Sequence, residues 1–295
     1  MTQELVANPA AAARGPYIPY ADGCYRSPEL RPGLLPQCFP SACFYARYLR
    51  LVLCSGLRAG RGLYDGHAWA EGSRKVREAL ERVGVRFEVT GMEHLAAMEQ
   101  PFVVAANHMS ALETMVLPSI LMTFRETTFI VKQSLLKYPL FRNILGSREP
   151  IAVTQTNPRE DFKIVMREGP LRLQNGYALI VFPEAARRAA FDPANFNSMA
   201  EKVAARANVP LIPLALKTDA WGMGWPLRDF GRIDPGKTVH FAFGPPLRFS
   251  ARDADRHGEI LTFITEKLAA WTAAAEPVPT ARGGRERGGR RDDVS

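Results

Sequence analysis

The stretch AANHMSALETM, residues 105–115, places a histidine five residues before a glutamate. On a regular helix two side chains at this spacing point about 140° apart, so His108 and Glu113 can meet only if His108 precedes the helix. Ser110 is a favourable N-cap, and Glu113 follows it by three residues, as in a capping box. Two interpretations follow: Glu113 orients His108 as a general base, or it only completes the cap beside a loop histidine.

A second charged motif, VFPEAARRAAF at residues 181–191, follows an apolar run of strand length. It contains Pro183, Glu184, Arg187 and Arg188. A guanidinium at the carboxyl end of a strand can bind a phosphate through two parallel hydrogen bonds. The alternative is an ordinary charged helix start whose arginines are solvated.

From Phe102 onward, short apolar runs rich in β-branched and aromatic residues alternate with helix-length stretches. The predicted strands are FVVAAN (102–107), TFIVK (128–132), PIAVT (150–154), YALIVF (177–182), PLIPLAL (210–216) and VHFAF (239–243). The predicted helices span 112–124, 162–173, 198–207 and 255–274. This order predicts an α/β fold with a mostly parallel sheet flanked by helices. Both motifs follow strands, where such sheets bind ligands.

Four segments are predicted along the chain. They are an irregular Pro-rich arm (1–36), an N-terminal helical, membrane-surface region (37–84), the α/β domain (85–275) and a disordered Arg/Gly-rich tail (276–295). The apolar stretch from Phe39 to Leu57 is interrupted by Arg47 and Arg50, which is typical of an amphipathic helix. Such a helix lies in a membrane interface or packs on the protein's own core. No apolar run reaches the roughly 18 residues of a spanning helix.

The formal net charge of +8 and pI of about 9.5 favour an anionic partner. The histidines and the four cysteines lack the spacing of metal ligands, so we expect no metal and reduced thiols. P-loop, Gly-x-Ser-x-Gly and Gly-x-Gly-x-x-Gly motifs are absent from the sequence, which argues against nucleotide hydrolases, serine hydrolases and dinucleotide enzymes. The N-terminus does not have the pattern of a signal peptide, which predicts a cytosolic location.

Four blocks in order resemble the 1-acylglycerol-3-phosphate acyltransferase family, which comprises lysophospholipid and glycerophosphate acyltransferases. NHMSALE (107–113) is similar to its Asn-His-x-Ser-x-x-Asp motif, and FPEAARR (182–188) to its Phe-Pro-Glu-Gly-Thr-Arg-Ser block. VKQSLLKYPLF (131–141) resembles its Lys-x-x-Leu-x-x-x-Pro-x-Phe segment, and VPLIPLAL (209–216) its Val-Pro-Ile-x-Pro-Val segment. The resemblance covers roughly residues 85–249.

The resemblance implies a glycerol-3-phosphate acyltransferase-like fold and transfer of a fatty acyl group from acyl-CoA or acyl carrier protein to a lysolipid hydroxyl. His108 is then the base and Glu113 orients it. The implied acceptor-binding residues are Glu184, Arg187, Arg188, Lys132, Asn107 and Ser110. Neither a cofactor nor a metal is implied. The enzyme would be peripheral, on the cytoplasmic side of a membrane surface, and a nucleic-acid partner is not expected.

Departures from the family pattern concentrate at the acceptor end. Glu113 replaces the usual Asp, which keeps the charge. Where the family has a Val-Asp-Arg whose Arg helps to bind phosphate, this chain has Val153, Thr154 and Gln155. Two alternatives therefore stay open: an acyltransferase for a lysolipid without phosphate, and a non-catalytic lipid- or nucleic-acid-binding protein on the same scaffold.

Overall fold

The computed structural model describes residues 16–184, 186–249 and 256–275. Within these ranges eight strands form one sheet in the order β1-β2-β8-β7-β3-β6-β4-β5. The strands are β1 (Tyr25–Arg26), β2 (Arg86–Thr90), β3 (Val103–Ala106), β4 (Thr127–Lys132), β5 (Ile151–Val153), β6 (Ala178–Val181), β7 (Leu211–Lys217) and β8 (Thr238–Phe243). Residues 1–15 of the predicted Pro-rich arm and the whole predicted tail (276–295) lie outside the described residues.

The predicted α/β class with a mostly parallel sheet is confirmed. Strands β7, β3, β6, β4 and β5 run parallel to one another, and β8 pairs antiparallel with β7. The register places Ala105 beside Val181 on one side and beside Pro213 on the other. The carboxyl ends of β3, β6 and β7 therefore meet at one edge of the sheet, which brings distant parts of the sequence together.

Helices cover both faces of the sheet. They are α1 (Leu34–Cys38), α2 (Pro40–Gly60), α3 (Gly66–Glu81), α4 (Met92–Ala96), α5 (Ala111–Leu121), α6 (Pro139–Gly146), α7 (Pro158–Gln174), α8 (Met199–Ala207) and α9 (Arg256–Ala275), with short 3-10 turns at Gln133–Lys137 and Pro193–Asn195. Successive strand residues point to opposite faces. Val104 accordingly packs in the core beneath α2, α3 and α5, whereas Val103 packs beneath α7, α8 and α9.

The predicted helix α2 combines two apolar stripes. Its buried stripe, Phe44, Tyr48 and Val52, packs on the protein's own core. Its second apolar stripe is exposed and lies about 140° around the helix axis from the first; it consists of Leu49, Leu53 and Leu57. No helix among the described residues combines the length and apolar character that crossing a membrane requires.

Helix α5, which begins beside His108, runs through Pro118. The Ser73 hydroxyl of α3 donates to the Val116 carbonyl and accepts a hydrogen bond from the Ser119 amide, both at 2.9 Å. Proline cannot donate to the helix ladder, and these two bonds join the turn that contains Pro118 to α3. The helix behind the site is thus anchored on α3.

Candidate active site

His108 lies in the short loop between β3 and α5, and its Nδ1 is 2.9 Å from Glu113 Oε1. Ser110 is the N-cap of α5, and it forms a capping box with Glu113. The two interpretations of the sequence are therefore compatible, because one carboxylate caps the helix and also contacts the imidazole. His108 meets Glu113 because the ring precedes the helix, as the spacing requires.

The Glu113 carboxylate is fully buried and is surrounded by donors. Its Oε1 accepts from the amides of Met109 and Ser110 at 2.6 and 2.7 Å, besides contacting the ring of His108. Its Oε2 accepts from the hydroxyls of Thr218 and Ser110 at 2.6 and 2.9 Å. Burial raises the pKa of Glu113, but the hydrogen bonds from His108, Thr218 and Ser110 outweigh it and leave the pKa below the ordinary value.

Thr218 was not predicted as a site residue. It directly follows β7, two residues after the VPLIPLAL block, and is fully buried. Because β7 pairs with β3, its hydroxyl reaches a carboxylate 105 residues away in sequence. Its position two residues after the predicted strand 210–216 was the sequence signal for it.

The imidazole of His108 stacks on Phe182, with ring centroids 4.3 Å apart and planes 21° from parallel. Phe182 stacks in turn on Phe129 of β4, at 6.2 Å. The His108 side chain keeps 18% of its surface exposed. Its Nε2 makes no hydrogen bond with any residue that the structure describes, so this nitrogen remains free to meet a substrate.

Glu184 follows β6 and is held against the loop of His108. Its Oε2 accepts a hydrogen bond from the His108 amide at 2.8 Å, and the Arg188 amide donates to the His108 carbonyl at 2.8 Å. The Glu184 side chain is buried, and its Oε1 has no partner among the described residues. Burial raises the pKa of Glu184 above its ordinary value.

The basic residues of the predicted site have different environments. The Arg187 guanidinium forms an ion pair with Asp229 at 2.5 Å, whereas the Arg188 side chain is exposed. Lys132 is exposed at the end of β4, two strands away from β3 along the sheet. Arg148, another basic residue of this region, is buried and bonded to Glu126 at 2.6 Å.

Asn107 and Ser110 are buried and bonded within the protein. The side-chain amide of Asn107 donates to the Leu216 carbonyl at 2.9 Å and accepts from the Leu216 amide at 2.8 Å. This side chain extends the β3 to β7 pairing by one residue, as a backbone amide would. Ser110 bonds to Thr218 as well as to Glu113. Both residues hold the strand ends together.

Three backbone amides in the loop after β3 already have acceptors within the protein. The His108 amide donates to Glu184, and the amides of Met109 and Ser110 donate to Glu113. These donors fix the loop and the two carboxylates. They are therefore not available to a negatively charged oxygen of a substrate.

A partly exposed histidine bonded to a buried glutamate thus lies at the carboxyl edge of a helix-flanked sheet. Residues 86–217 match the family model described as Acyltransferase. The chain is 29% identical over 164 residues to the 1-acyl-sn-glycerol-3-phosphate acyltransferase of Pseudomonas aeruginosa. That alignment covers 56% of this chain and 60% of the relative's length.

The fold is similar to the crystal structure of the 1-acyl-sn-glycerophosphate (LPA) acyltransferase, PlsC, from Thermotoga maritima. The match has a TM-score of 0.59 at 19% identity and covers 81% of this chain and 97% of the other. The resemblance predicted from the four sequence blocks is confirmed by these comparisons.

Proposed function

We propose that this chain is an O-acyltransferase that moves a fatty acyl group from acyl-CoA or acyl carrier protein to the hydroxyl of a lysophospholipid. One observation carries the proposal: the hydrogen bond between His108 Nδ1 and the buried Glu113 leaves Nε2 as the proton acceptor. The name of the Pseudomonas aeruginosa relative supports a 1-acylglycerol-3-phosphate-like acceptor.

The chemistry follows from the ring geometry. Glu113 accepts from Nδ1–H, so Nε2 takes the proton of the acceptor hydroxyl as its oxygen attacks the thioester carbonyl. Collapse of the tetrahedral intermediate breaks the carbon–sulfur bond, and Nε2–H returns the proton to the departing thiolate. The ionised Glu113 stabilises the imidazolium between the two steps. We expect no metal or other cofactor, because His108 carries the proton in both steps of the proposed reaction.

The acceptor's headgroup would lie beside the loop after β6. Arg187 and Arg188 follow Glu184 there, and Glu184 is bonded to the loop of His108. An anionic headgroup held by these guanidiniums would lie next to the base. Lys132, exposed at the same edge of the sheet, would add positive charge further along it.

We further propose a peripheral location on the cytoplasmic side of a membrane. The exposed leucine stripe of α2 faces away from the core, and exposed arginines, Arg47 and Arg50, flank it. The loop after β7 adds Trp225, which is 94% exposed, and Phe230, whose ring lies 5.4 Å from that of Tyr45 on α2. These side chains favour an interface between lipid and water.

Purified full-length chain tests the activity with labelled acyl-CoA, acyl carrier protein and lysophosphatidate. We expect diacyl product from the wild type and a loss on the order of 10²–10⁴ in rate for His108→Ala. His94→Ala is the matched control, because His94 also lies beside a glutamate, Glu93, but away from this edge. Full activity of His108→Ala would contradict the mechanism. No transfer by the wild type, with tight RNA or vesicle binding, would favour the non-catalytic alternative.

Vesicle co-sedimentation tests the membrane surface. Leu53→Ser should weaken binding to anionic phospholipid vesicles roughly tenfold, because it removes apolar area from the interface. Leu171→Ser is the matched control, since Leu171 is similarly exposed, at 45% against 51%, but lies on α7. Equal binding of both variants would contradict the proposed surface.

A further inference from the structure

The Arg187 guanidinium, which is expected to hold the acceptor, is already paired. Its Nη1 lies 2.5 Å from Asp229 Oδ1, and the Asp229 side chain is 56% exposed. An anionic headgroup must therefore share this guanidinium with Asp229 or displace it. Asp229 lies outside the four sequence blocks, and the proposed mechanism does not use it.

The loop that carries Asp229 is a closed hairpin. Trp221 pairs with Ile233 in an antiparallel bridge, and the Gly222 amide donates to the Arg232 carbonyl at 3.0 Å. A side chain on Gly231 would collide with the carbonyl oxygen of Gly222, so glycine is required for this close approach. The backbone of Asp229 is thus fixed by the fold.

Two contacts tie this hairpin to buried parts of the protein. The indole of Trp221, which is 1% exposed, donates to the Asp229 carbonyl at 3.0 Å. The Tyr45 hydroxyl of α2 donates to the Gly231 carbonyl at 2.5 Å. These contacts hold the backbone of Asp229 in place beside Arg187.

Two acidic residues lie beside the arginines of the acceptor end. Asp229 neutralises Arg187, and Glu184, with one buried oxygen unpartnered, stands beside the exposed Arg188. A bare phosphate with nearly two negative charges would be repelled by Asp229 while it competes for Arg187. A headgroup that also carries a cation would give Asp229 a new partner and release Arg187 to the anionic group.

We propose that Asp229 is a specificity-determining residue that selects lysolipid acceptors whose headgroup carries a primary ammonium beside an anionic group. The proposal rests on the acyltransferase function proposed above. The shared chemistry, one anion for Arg187 and one ammonium for Asp229, occurs in a phosphoethanolamine headgroup and in an amino-acid headgroup. The two sources are separated by using both as probes.

Acceptor binding in the absence of an acyl donor tests the selectivity without turnover. The probes are lysophosphatidate, lysophosphatidylethanolamine and a hydroxyl-bearing lipid with an amino-acid headgroup, each in mixed micelles with the full-length chain. The wild type should bind at least one ammonium-bearing probe more tightly than lysophosphatidate. Asp229→Asn should reduce that preference about tenfold, because it removes one charge-assisted hydrogen bond.

Three further variants make the test specific. Asp229→Glu keeps the carboxylate and should keep the preference. Glu160→Gln is the matched control, because Glu160 is also 56% exposed and pairs with one cation, Lys163, on the distant helix α7. In an Arg187→Gln background, Asp229→Asn should change the preference less, since the two residues act together.

A wild type that binds lysophosphatidate as tightly as both ammonium-bearing probes would overturn the proposal, and so would a preference that Asp229→Asn does not alter. So would an equal effect of Glu160→Gln. Transfer assays with the same three acceptors keep the two proposals apart. Absence of product from every acceptor contradicts the acyltransferase function, whereas product without headgroup preference contradicts only the role of Asp229.

Discussion

Glu113 lies in the first turn of α5, after β3, and Glu184 follows the neighbouring strand β6; both residues are buried, at 0% and 1% exposure. Five donor contacts surround Glu113, and its pKa lies below the ordinary value although burial alone would raise it. Glu184 has two backbone donors, the amides of His108 and Asp192, and burial raises its pKa. In the proposed mechanism the ionised Glu113 orients His108, whereas Glu184 has a buried oxygen, Oε1, without a hydrogen-bond partner among the described residues.

The largest expected effect comes from Glu113→Gln. An amide cannot accept at both positions, so two backbone amides, the ring and two hydroxyls would lose a charged partner. We expect kcat to fall on the order of 10²–10⁴-fold, and the free energy of unfolding to fall by about 3–5 kcal/mol. Steady-state transfer kinetics and urea denaturation measure the two changes. A variant with wild-type kcat would contradict the orienting role.

The stability effect of Glu113 should depend on pH. Because its pKa is lowered in the folded chain, its contribution is present above the ordinary carboxyl pKa and is lost as pH falls through the lowered folded value. The stability difference between wild type and Glu113→Gln should therefore be largest near neutral pH and shrink in acid. Denaturation at a series of pH values measures it, and a difference that grows in acid would contradict the assignment.

A smaller effect is expected for Thr218→Val, which removes one donor to Glu113 Oε2 while Ser110 keeps the other. We expect a loss of about 1–3 kcal/mol in the free energy of unfolding and a smaller loss of kcat than Glu113→Gln causes. Thr114→Val is the control, because the Thr114 hydroxyl donates only to the Ala111 carbonyl. Equal effects of the two variants on stability and kcat would contradict a specific role for Thr218 in holding Glu113.

The smallest stability effect is expected for Glu184→Gln. A raised folded pKa means that the contribution of Glu184 is present below the ordinary carboxyl pKa and lost as pH rises through the folded value. Removing the charge should therefore leave the neutral-pH stability within about 1 kcal/mol of the wild type, or raise it. The KM for the acceptor should rise with little change in stability. A large loss of stability would mean that Glu184 is a structural anchor like Glu113.

Local signals in the sequence predicted the contact between His108 and Glu113. Ser110 and Glu113 identify a helix start, and this start places His108 before the helix. The strand pattern also placed both motifs at strand ends. These features depend on contacts a few residues apart, which sequence patterns encode directly.

Residues that act through distant contacts were not predictable in the same way. Thr218 and Asp229 reach the site through strand order and a closed hairpin, which no local pattern specifies. Asn107 has the residue type of a ligand-binding side chain, but its amide bonds to Leu216 on the adjacent strand. Ile18, in the predicted irregular arm, is fully buried in the core. Such roles depend on register, which the fold decides.

The tautomer of His108 tests the central claim most directly. ¹⁵N NMR of histidine-labelled protein, with His108→Gln to assign the ring signals, reports which nitrogen carries the proton when the ring is neutral. The account predicts a proton on Nδ1, bonded to Glu113, and an unprotonated Nε2 in the wild type. A proton on Nε2 with Nδ1 unprotonated would contradict it, because His108 could not then take a proton from the acceptor hydroxyl.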